Sequence, residues 1–186
     1  MAVKKTWYEI VAPEMFGGKP IGETLAADSR QLVGRKIDVS LMDISDSYSK
    51  FFVKVRLRID KIDGNRAYTK LVGHDVLRER VYRMVQRHGR RVDAIQDVVT
   101  KDGVHVRVKT VFMLIKRVGS STKDATRKLT RELIEEAAAK STFEEFVNAI
   151  ISGDLQHKLR KDASKVYPIG SIEIRRTEII EKVSAA

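Results

Sequence analysis

The side chains that most often carry out catalysis are sparse in this sequence and show no catalytic spacing. The histidines, His74, His88, His105 and His157, lack the His-x-x-x-His and His-Glu-x-x-His spacings that place two metal ligands on one helix face. The sequence has no Gly-x-x-x-x-Gly-Lys-Ser/Thr or Gly-x-Gly-x-x-Gly phosphate loop and no Gly-x-Ser-x-Gly nucleophile turn. It also has no cysteine, which excludes thiolate metal sites and cysteine nucleophiles. We therefore expect no catalytic residue, no metal and no cofactor.

Two pairs of carboxylates, Asp43 with Asp46 and Asp60 with Asp63, flank predicted turns. The segment from Asp60 to Asn65 resembles a calcium-binding loop only loosely, because the third-position ligand and the terminal glutamate are missing. Carboxylates at such positions usually cap or solvate loops. We interpret both pairs as structural.

Basic side chains are the dominant chemical feature of the sequence. Lysine and arginine total 36 against 25 aspartate and glutamate, which gives a formal net charge of +11 at pH 7. Charge alone leaves nucleic acid, a membrane surface and acidic proteins open as partners. The sequence contains no uninterrupted apolar stretch of roughly 18 residues and no signal-peptide pattern. We expect a soluble, cytoplasmic protein.

The basic residues recur in predicted strands as well as in predicted helices, and no recognition-helix motif is present. This distribution favours a surface wrapped by RNA over a single helix inserted in a DNA groove. Arginine suits this role because its planar guanidinium can bind two phosphate oxygens at once. The residues that we expect to bind RNA are Lys4, Lys5, Arg35, Lys54, Arg56, Arg58, Arg78, Arg80, Arg83, Arg87, Arg90, Arg91, Arg107, Lys109, Arg127, Lys128, Lys158, Arg160 and Lys161.

Residues 1–30 are predicted to form an extended N-terminal arm. Prolines and glycines interrupt any helix or strand that begins there, namely Pro13, Gly17, Gly18, Pro20 and Gly22. We expect Trp7, Tyr8, Met15 and Phe16 to anchor the arm on the rest of the protein. Base stacking by Trp7 or Tyr8 is the alternative role for those two rings.

Residues 31–120 are predicted to form an antiparallel, barrel-like β core with one inserted helix. Apolar and polar residues alternate with the period of two that is typical of half-buried strands. The turns Asp63-Gly64-Asn65 and Lys101-Asp102-Gly103 indicate two hairpins. The predicted strand segments are 36–43, 53–60, 67–72, 91–99 and 104–118, the last of which becomes apolar on both faces from Val111 to Ile115.

The inserted helix is predicted over Val76 to His88, with Asp75 as its N-cap and Gly89 at its end. Arg80, Arg83 and Arg87 recur at helical spacing on its polar side. Arg78 lies nearby, and Arg90 and Arg91 follow the glycine. This is the densest basic patch in the sequence.

Residues 121–186 are predicted to form three helices and a final strand, packed on the core as one globular α+β unit. The first helix runs to Lys140 and is capped by Ser121 or Thr122. The second begins with a capping box at Ser141 or Thr142 and ends before Gly153. The third begins at Asp154 and stops before Pro168, and a strand from Ile169 to Ile180 follows.

Several segments resemble one known family, the small-subunit ribosomal proteins of archaea and eukaryotes called S-three-A-e or S-one-e. The entry Lys4-Lys5-Thr6-Trp7-Tyr8 and Ala12-Pro13-Glu14-Met15-Phe16 is similar to that family's KKxWYxxxAPxMF. The segment from Gly34 to Ile44 is similar to its GRxxEVSLxDL, with Asp38 in place of Glu and Ile44 in place of Leu. The stretch Asp97 to Lys109 and the turn Val166-Tyr167-Pro168-Ile169 are also similar.

The resemblance implies a barrel-containing fold with peripheral helices, on the platform of the small subunit near the messenger exit and the 3' end of the ribosomal RNA. It implies ribosomal RNA and neighbouring ribosomal proteins as partners, with messenger RNA close by. It carries no catalytic residues. The lack of the longer extensions of eukaryotic members leads us to expect an archaeal-type member.

Two other functions remain open from the sequence. An RNA-processing or RNA-modifying enzyme would use the same basic surface to hold its substrate, although no catalytic group is evident. A free translational regulator would bind messenger RNA away from the ribosome.

Overall fold

The protein has mixed secondary structure, as expected from the sequence. The structure is a computed structural model that describes residues 5–45 and 50–180. Within these residues the chain forms eight β-strands and five α-helices, which confirms the predicted α+β class. The chain divides into two compact units, Met1–His74 and Asp75–Ala186, which are described one at a time.

The first unit is almost entirely β-structure. Its elements are β1 (Thr6–Val11), β2 (Pro20–Ala26), β3 (Lys36–Ser40), α1 (Leu41–Ser45), β4 (Val53–Asp63) and β5 (Arg66–Val76), whose last two residues belong to the second unit. The strand order is β2-β1-β5-β4-β3. β1 pairs with β2 antiparallel and with β5 parallel, and β3 pairs with β4 antiparallel. Among the described residues β2 and β3 each have one strand partner, so this sheet is open and not a closed barrel.

Strand β4 shows most clearly why the sequence folds in this way. Val53, Val55, Leu57 and Ile59 are buried on one face, as the alternation predicts, and Leu57 and Ile59 are fully shielded from solvent. Burying a large aliphatic side chain contributes about 1.5–3 kcal/mol to stability. Part of the core of the unit is formed by Tyr8, Ala26, Leu32, Ile59 and Ala67. The intervening cations of β4 are therefore held on the opposite face.

The segment predicted as an irregular arm contains two paired strands. Pro13, Gly17 and Gly18 fall in the connection between them, where the two glycines have φ values of 84° and 61°, whereas Gly22 lies within β2. Pro20 is the first residue of β2, a position where its missing N–H is tolerated. Of the predicted anchors, Tyr8 is buried, whereas Trp7 is 60% exposed.

The second unit combines three paired strands with four helices. Its elements are α2 (Arg78–Met84), β6 (Arg90–Val99), β7 (His105–Leu114), α3 (Ser120–Lys140), α4 (Phe143–Ser152), α5 (Asp154–Ala163) and β8 (Ile169–Ile179). β7 lies between β6 and β8 and is antiparallel to both. Its residues 110–114 are all buried, which agrees with the apolar run predicted on both faces, and the strand ends before the exposed Ile115.

The inserted helix is shorter than predicted, and its predicted N-cap is wrong. Asp75 and Val76 are the last residues of β5, and the Oδ2 atom of Asp75 lies 3.8 Å from Nη1 of Arg176. The N-cap is Leu77, which has no side-chain capping bond. The helix ends at Met84, so Arg87 lies outside it. Burial of Val76 in the strand overrides its place in the helical pattern.

The C-terminal helices begin as the sequence predicts in two cases out of three. α3 has Gly119 as its N-cap without a side-chain bond, so the prediction of Ser121 or Thr122 is wrong. α4 has a complete capping box, in which the hydroxyl of Thr142 accepts from the backbone N–H of Glu145 and the Glu145 carboxylate accepts from that of Thr142. Gly153, with φ of 97°, ends α4, and α5 follows at Asp154.

Helix α3 is attached to strand β6 by side-chain hydrogen bonds as well as by packing. Arg127 Nε donates to the carbonyl oxygen of Asp93 at 3.1 Å, and Arg131 Nη2 donates to that of Ile95 at 3.1 Å. In return, Gln96 Nε2 donates to the carbonyl oxygen of Arg131 at 3.1 Å. None of the helices in residues 5–45 and 50–180 is long and apolar enough to cross a membrane.

Candidate nucleic-acid interface

The strand face of the first unit carries cations, but carboxylates accompany several of them. Arg56 on β4 binds Asp38 on β3 through two hydrogen bonds of 2.7 and 2.9 Å. Arg35 Nη1 donates to Thr24 Oγ1 at 2.6 Å, and Arg58 is half-buried. The other predicted residues of this unit, Lys5 and Lys54, are exposed, and Lys4 lies outside the described residues. This face is therefore a mixture of charges rather than a purely basic surface.

Lys70 and Asp60 show the same mixture on β5 and β4, with Nζ 2.8 Å from Oδ2. The hydrogen bond from Lys70 holds the pKa of the Asp60 carboxyl below its ordinary value, against a smaller opposing effect of desolvation. Such a carboxylate stays ionised at neutral pH. It competes with any phosphate for the neighbouring ammonium group.

On the β6–β7 hairpin three of the predicted cations have acidic partners, whereas Arg90 has none among the described residues. Arg107 binds Asp97 through two hydrogen bonds of 2.7 and 2.8 Å, and this lowers the pKa of Asp97 and raises that of Arg107. Nη2 of Arg91 lies 2.8 Å from Oδ1 of Asp93, and Nζ of Lys109 lies 3.4 Å from Oε1 of Glu178. Exposed pairs of this kind are weak, but each one satisfies part of the cation's hydrogen-bonding capacity.

Of the predicted cations on α3 and α5, two form hydrogen bonds with other parts of the protein. Arg127 binds Asp124 and the backbone of Asp93, and Arg160 Nε donates to the carbonyl oxygen of Ile169 at 3.2 Å. The remaining predicted residues on these helices are exposed, namely Lys128, Lys158 and Lys161. Arg127 and Arg160 thus hold elements of the fold together.

The arginines in and after α2 form an exposed basic set in the second unit. Arg78, Arg80, Arg83, Arg87 and Arg90, called the α2 cluster below, are all exposed. Within residues 5–45 and 50–180, the side chains of Arg78, Arg83, Arg87 and Arg90 form no hydrogen bond or ion pair. Unpaired guanidinium groups can bind phosphate without first losing a carboxylate partner.

One flank of α2 borders a groove of about 500 Å³. Arg80 and Arg83 form its basic side, and Met113, Leu114 and Ile115 at the end of β7 form an apolar side. Glu173 on β8 is half-buried, and this burial raises the pKa of its carboxyl while the positive charge of Arg80 opposes the shift. The groove thus combines cations with apolar surface.

The opposite flank of α2 borders a smaller depression of about 170 Å³, lined by Arg78, Val81, Tyr82, Arg91 and Arg175. Sequence reasoning missed Tyr82 and Arg175 as site residues. The spacing of Arg78 and Tyr82, four residues apart in a helix, was a usable signal for Tyr82. The approach of Arg175 depends on the packing of β8, for which the sequence offers no local signal.

The described part of the chain contains no group of three histidine, cysteine, aspartate or glutamate residues positioned to hold a metal ion. Four exposed arginines of this part, Arg78, Arg83, Arg87 and Arg90, lie in and directly after α2 and have no side-chain partner within it. The protein is thus an α+β protein whose exposed arginines have the charge that a polyanion can bind.

The comparisons with known proteins give the family. The model of the ribosomal S3Ae family matches residues 2–183. A Methanothrix thermoacetophila protein named small ribosomal subunit protein eS1 is 40% identical over 95% of this chain and 83% of its own length. Proteins of the same name from Methanococcus maripaludis and Sulfurisphaera tokodaii are 37% and 34% identical, over 98% and 95% of this chain and 81% and 92% of their own lengths.

The chain belongs to the ribosomal S3Ae family and is an archaeal-type member. This confirms the resemblance found in the sequence. It also confirms the expected class, because this is a family of ribosomal proteins, which are structural rather than catalytic.

Proposed function

We propose that this protein is a structural constituent of the small ribosomal subunit and binds ribosomal RNA mainly through backbone phosphates. The names of its relatives support the first part. The observation that carries the second part is the α2 cluster, in which four arginines have no side-chain partner among the described residues. A net charge of +11 provides the long-range attraction.

The ion pairs divide the predicted cations into two groups. Arg56 and Arg107 would have to share or lose a two-bonded carboxylate before binding phosphate. Arg83, Arg87 and Arg90 would lose only water. Because the second exchange is less costly, the α2 cluster contributes more to RNA affinity than the strand arginines do.

We also propose a location, which rests on family membership. The protein is cytoplasmic and ribosome-associated, on the platform of the small subunit near the messenger exit and the 3' end of the ribosomal RNA. Neighbouring ribosomal proteins are its other partners, and messenger RNA passes nearby. A density map of the assembled small subunit tests this location directly.

Filter binding to small-subunit ribosomal RNA over a series of salt concentrations tests the phosphate mechanism. We expect the affinity to fall steeply as salt rises, because each phosphate contact releases condensed counterions. The variant Arg83→Ala/Arg87→Ala/Arg90→Ala should bind more weakly and with a salt slope shallower by roughly 2 to 3, at about 0.7–0.9 for each contact.

The matched control is Lys70→Ala/Lys140→Ala/Lys165→Ala, which removes the same formal charge from cations that are already paired with acids. We expect a smaller effect on both affinity and slope. Affinity that does not depend on salt would rule out the phosphate mechanism. Equal effects of the two variants would remove the α2 cluster from the binding surface.

Sedimentation of cell extracts tests the structural role. A ribosomal constituent travels almost stoichiometrically with small subunits. A large pool away from the ribosome would instead indicate a free regulator, and turnover of RNA by the purified protein would indicate an enzyme.

A further inference from the structure

Tyr82 is an exposed aromatic residue in the middle of α2. Its side chain is 65% exposed, and its hydroxyl has no hydrogen-bond partner among the described residues. A single exposed aromatic ring is common on protein surfaces and by itself indicates no function. The surroundings of Tyr82 distinguish it from such a ring.

Three arginines line the same small depression as Tyr82. Arg78 precedes Tyr82 by one helical turn on the same face of α2, Arg91 comes from β6, and Arg175 comes from β8. The side chains of Arg78 and Arg175 form no hydrogen bond or ion pair within the described residues. Three positive charges thus lie close together with few acidic partners. Their mutual repulsion is unfavourable unless an anion binds.

Arg91 is oriented by its neighbour but remains able to bind a ligand. Its Nε and Nη2 atoms donate to Asp93, at distances of 2.8 to 3.2 Å. A guanidinium group has five N–H donors, so the Nη1 donors of Arg91 are left for another acceptor. Asp93 therefore holds Arg91 in position at the edge of the depression.

An exposed aromatic residue that shares a depression with three arginines matches a ligand that has a planar ring and negative charge on both sides of it. A nucleotide within an RNA strand has this chemistry, since its base stacks on aromatic rings and its two phosphates bind arginine. Inside a duplex both faces of each base are covered by neighbouring bases. An unpaired nucleotide can instead expose a face to Tyr82.

We infer that the depression binds one unpaired nucleotide of a single-stranded RNA segment, with its base stacked on Tyr82 and its flanking phosphates on Arg78, Arg91 and Arg175. This rests on the proposed function as an RNA-binding protein. It extends that function from phosphate binding of folded RNA to recognition of a single strand at a defined place.

Binding of the full-length protein to a short oligouridine and to an RNA duplex of matched length tests the inference. We expect Tyr82→Leu to weaken oligouridine binding roughly 5-fold or more, the effect of losing one base–aromatic stack. Duplex binding should stay close to that of the unchanged protein. Tyr82→Phe keeps the ring and should retain the affinity for oligouridine.

The matched control is Tyr68→Leu, which removes another exposed tyrosine, 41% exposed, from the first unit and should leave oligouridine binding unchanged. Equal binding of oligouridine by Tyr82→Leu and by the unchanged protein would overturn the inference, as would an equal loss for both RNAs. An acidic protein segment found in the depression in the assembled subunit would also overturn it.

Failure of this inference is distinguishable from failure of the proposed function. If Tyr82→Leu has no effect while Arg83→Ala/Arg87→Ala/Arg90→Ala still loses affinity for ribosomal RNA, only the nucleotide pocket is rejected. If the unchanged protein does not bind ribosomal RNA at all, the proposed function is rejected as well.

Discussion

Arg107 on β7 lies directly opposite Asp97 on β6, and the two side chains form a two-bonded ion pair. The Nε–Oδ1 distance is 2.7 Å and the Nη2–Oδ2 distance is 2.8 Å. Both side chains are close to half exposed. A cation that stands out in the sequence as a candidate for RNA binding is thus already neutralised within its own hairpin.

The pair predicts different effects for two arginines. Arg107→Ala should reduce RNA affinity much less than Arg83→Ala, because Arg83 has no partner to release among the described residues. It should reduce stability only slightly, since solvent screens an exposed pair. Filter binding and urea unfolding of both variants check this. An equal loss of RNA affinity for Arg83→Ala and Arg107→Ala would contradict it.

Low pH should reduce the free energy of unfolding, in part because it protonates Asp97 and breaks the Arg107–Asp97 pair. The hydrogen bond from Arg107 holds the pKa of Asp97 below its ordinary value of 3.8. At a pH between the pKa of Asp97 in the folded protein and its pKa in the unfolded chain, the unfolded chain binds more protons. The stabilisation by the pair is therefore fully present above pH 3.8 and is lost as the pH falls through the pKa of the folded protein. Urea unfolding across this range should show a steeper decline for the unchanged protein than for Asp97→Asn.

A carboxyl titration by NMR provides the direct measurement for this prediction. The signal of Asp97 should have its midpoint below 3.8, and Arg107→Ala should move it upward. A midpoint at or above 3.8 in the unchanged protein would mean that the pair does not form in solution.

The capping box of α4 should contribute measurably to stability. Thr142→Ala removes the hydroxyl that accepts from the Glu145 N–H and should cost about 1 kcal/mol in the free energy of unfolding. Ser121→Ala is the control, since Ser121 is exposed and does not cap α3. Urea denaturation measures both. Equal losses would show that the Thr142 hydroxyl has no special role.

Gly89 lies in a crowded position, where an added side chain should be unfavourable. A Cβ atom there would lie 3.1 Å from the carbonyl oxygen of Leu114 and 3.1 Å from Cε of Met113. Gly89→Ala should therefore destabilise the protein by about 1–3 kcal/mol, the usual effect of overpacking. In contrast, Gly22→Ala has no atom within 4 Å of its new Cβ and should be close to neutral. Thermal unfolding that ranks the two variants in the reverse order would contradict this contact.

The parts of the fold that were predictable are those fixed by neighbours in sequence. The alternation of β4, the two hairpin turns and the Thr142 capping box all depend on residues a few positions apart. The start of α2 depends instead on the burial of Val76 in a strand and on the pairing of Asp75 with Arg176. Nothing near Asp75 in the sequence shows that its carboxylate is occupied by a residue of β8.

In the candidate site, too, some contacts could be predicted from neighbouring residues and others depend on how the strands pack. Counting outward from the Lys101-Asp102-Gly103 turn places Asp97 opposite Arg107, so that pair could have been predicted from the hairpin. Asp38 and Arg56 lie on strands joined by α1 and a further connection, and their register is not encoded locally. Arg175 reaches the depression beside Tyr82 only through the packing of the folded unit.

The bonds from α3 to β6 have a consequence for the protein before it joins any larger assembly. Among the described residues β6 has a single strand neighbour, and an outer strand with free carbonyl groups is a template on which a second molecule can add a strand. Arg127 and Arg131 already occupy the carbonyl oxygens of Asp93 and Ile95. These two arginines thereby leave fewer free carbonyl groups on β6 for a strand of a second molecule to pair with.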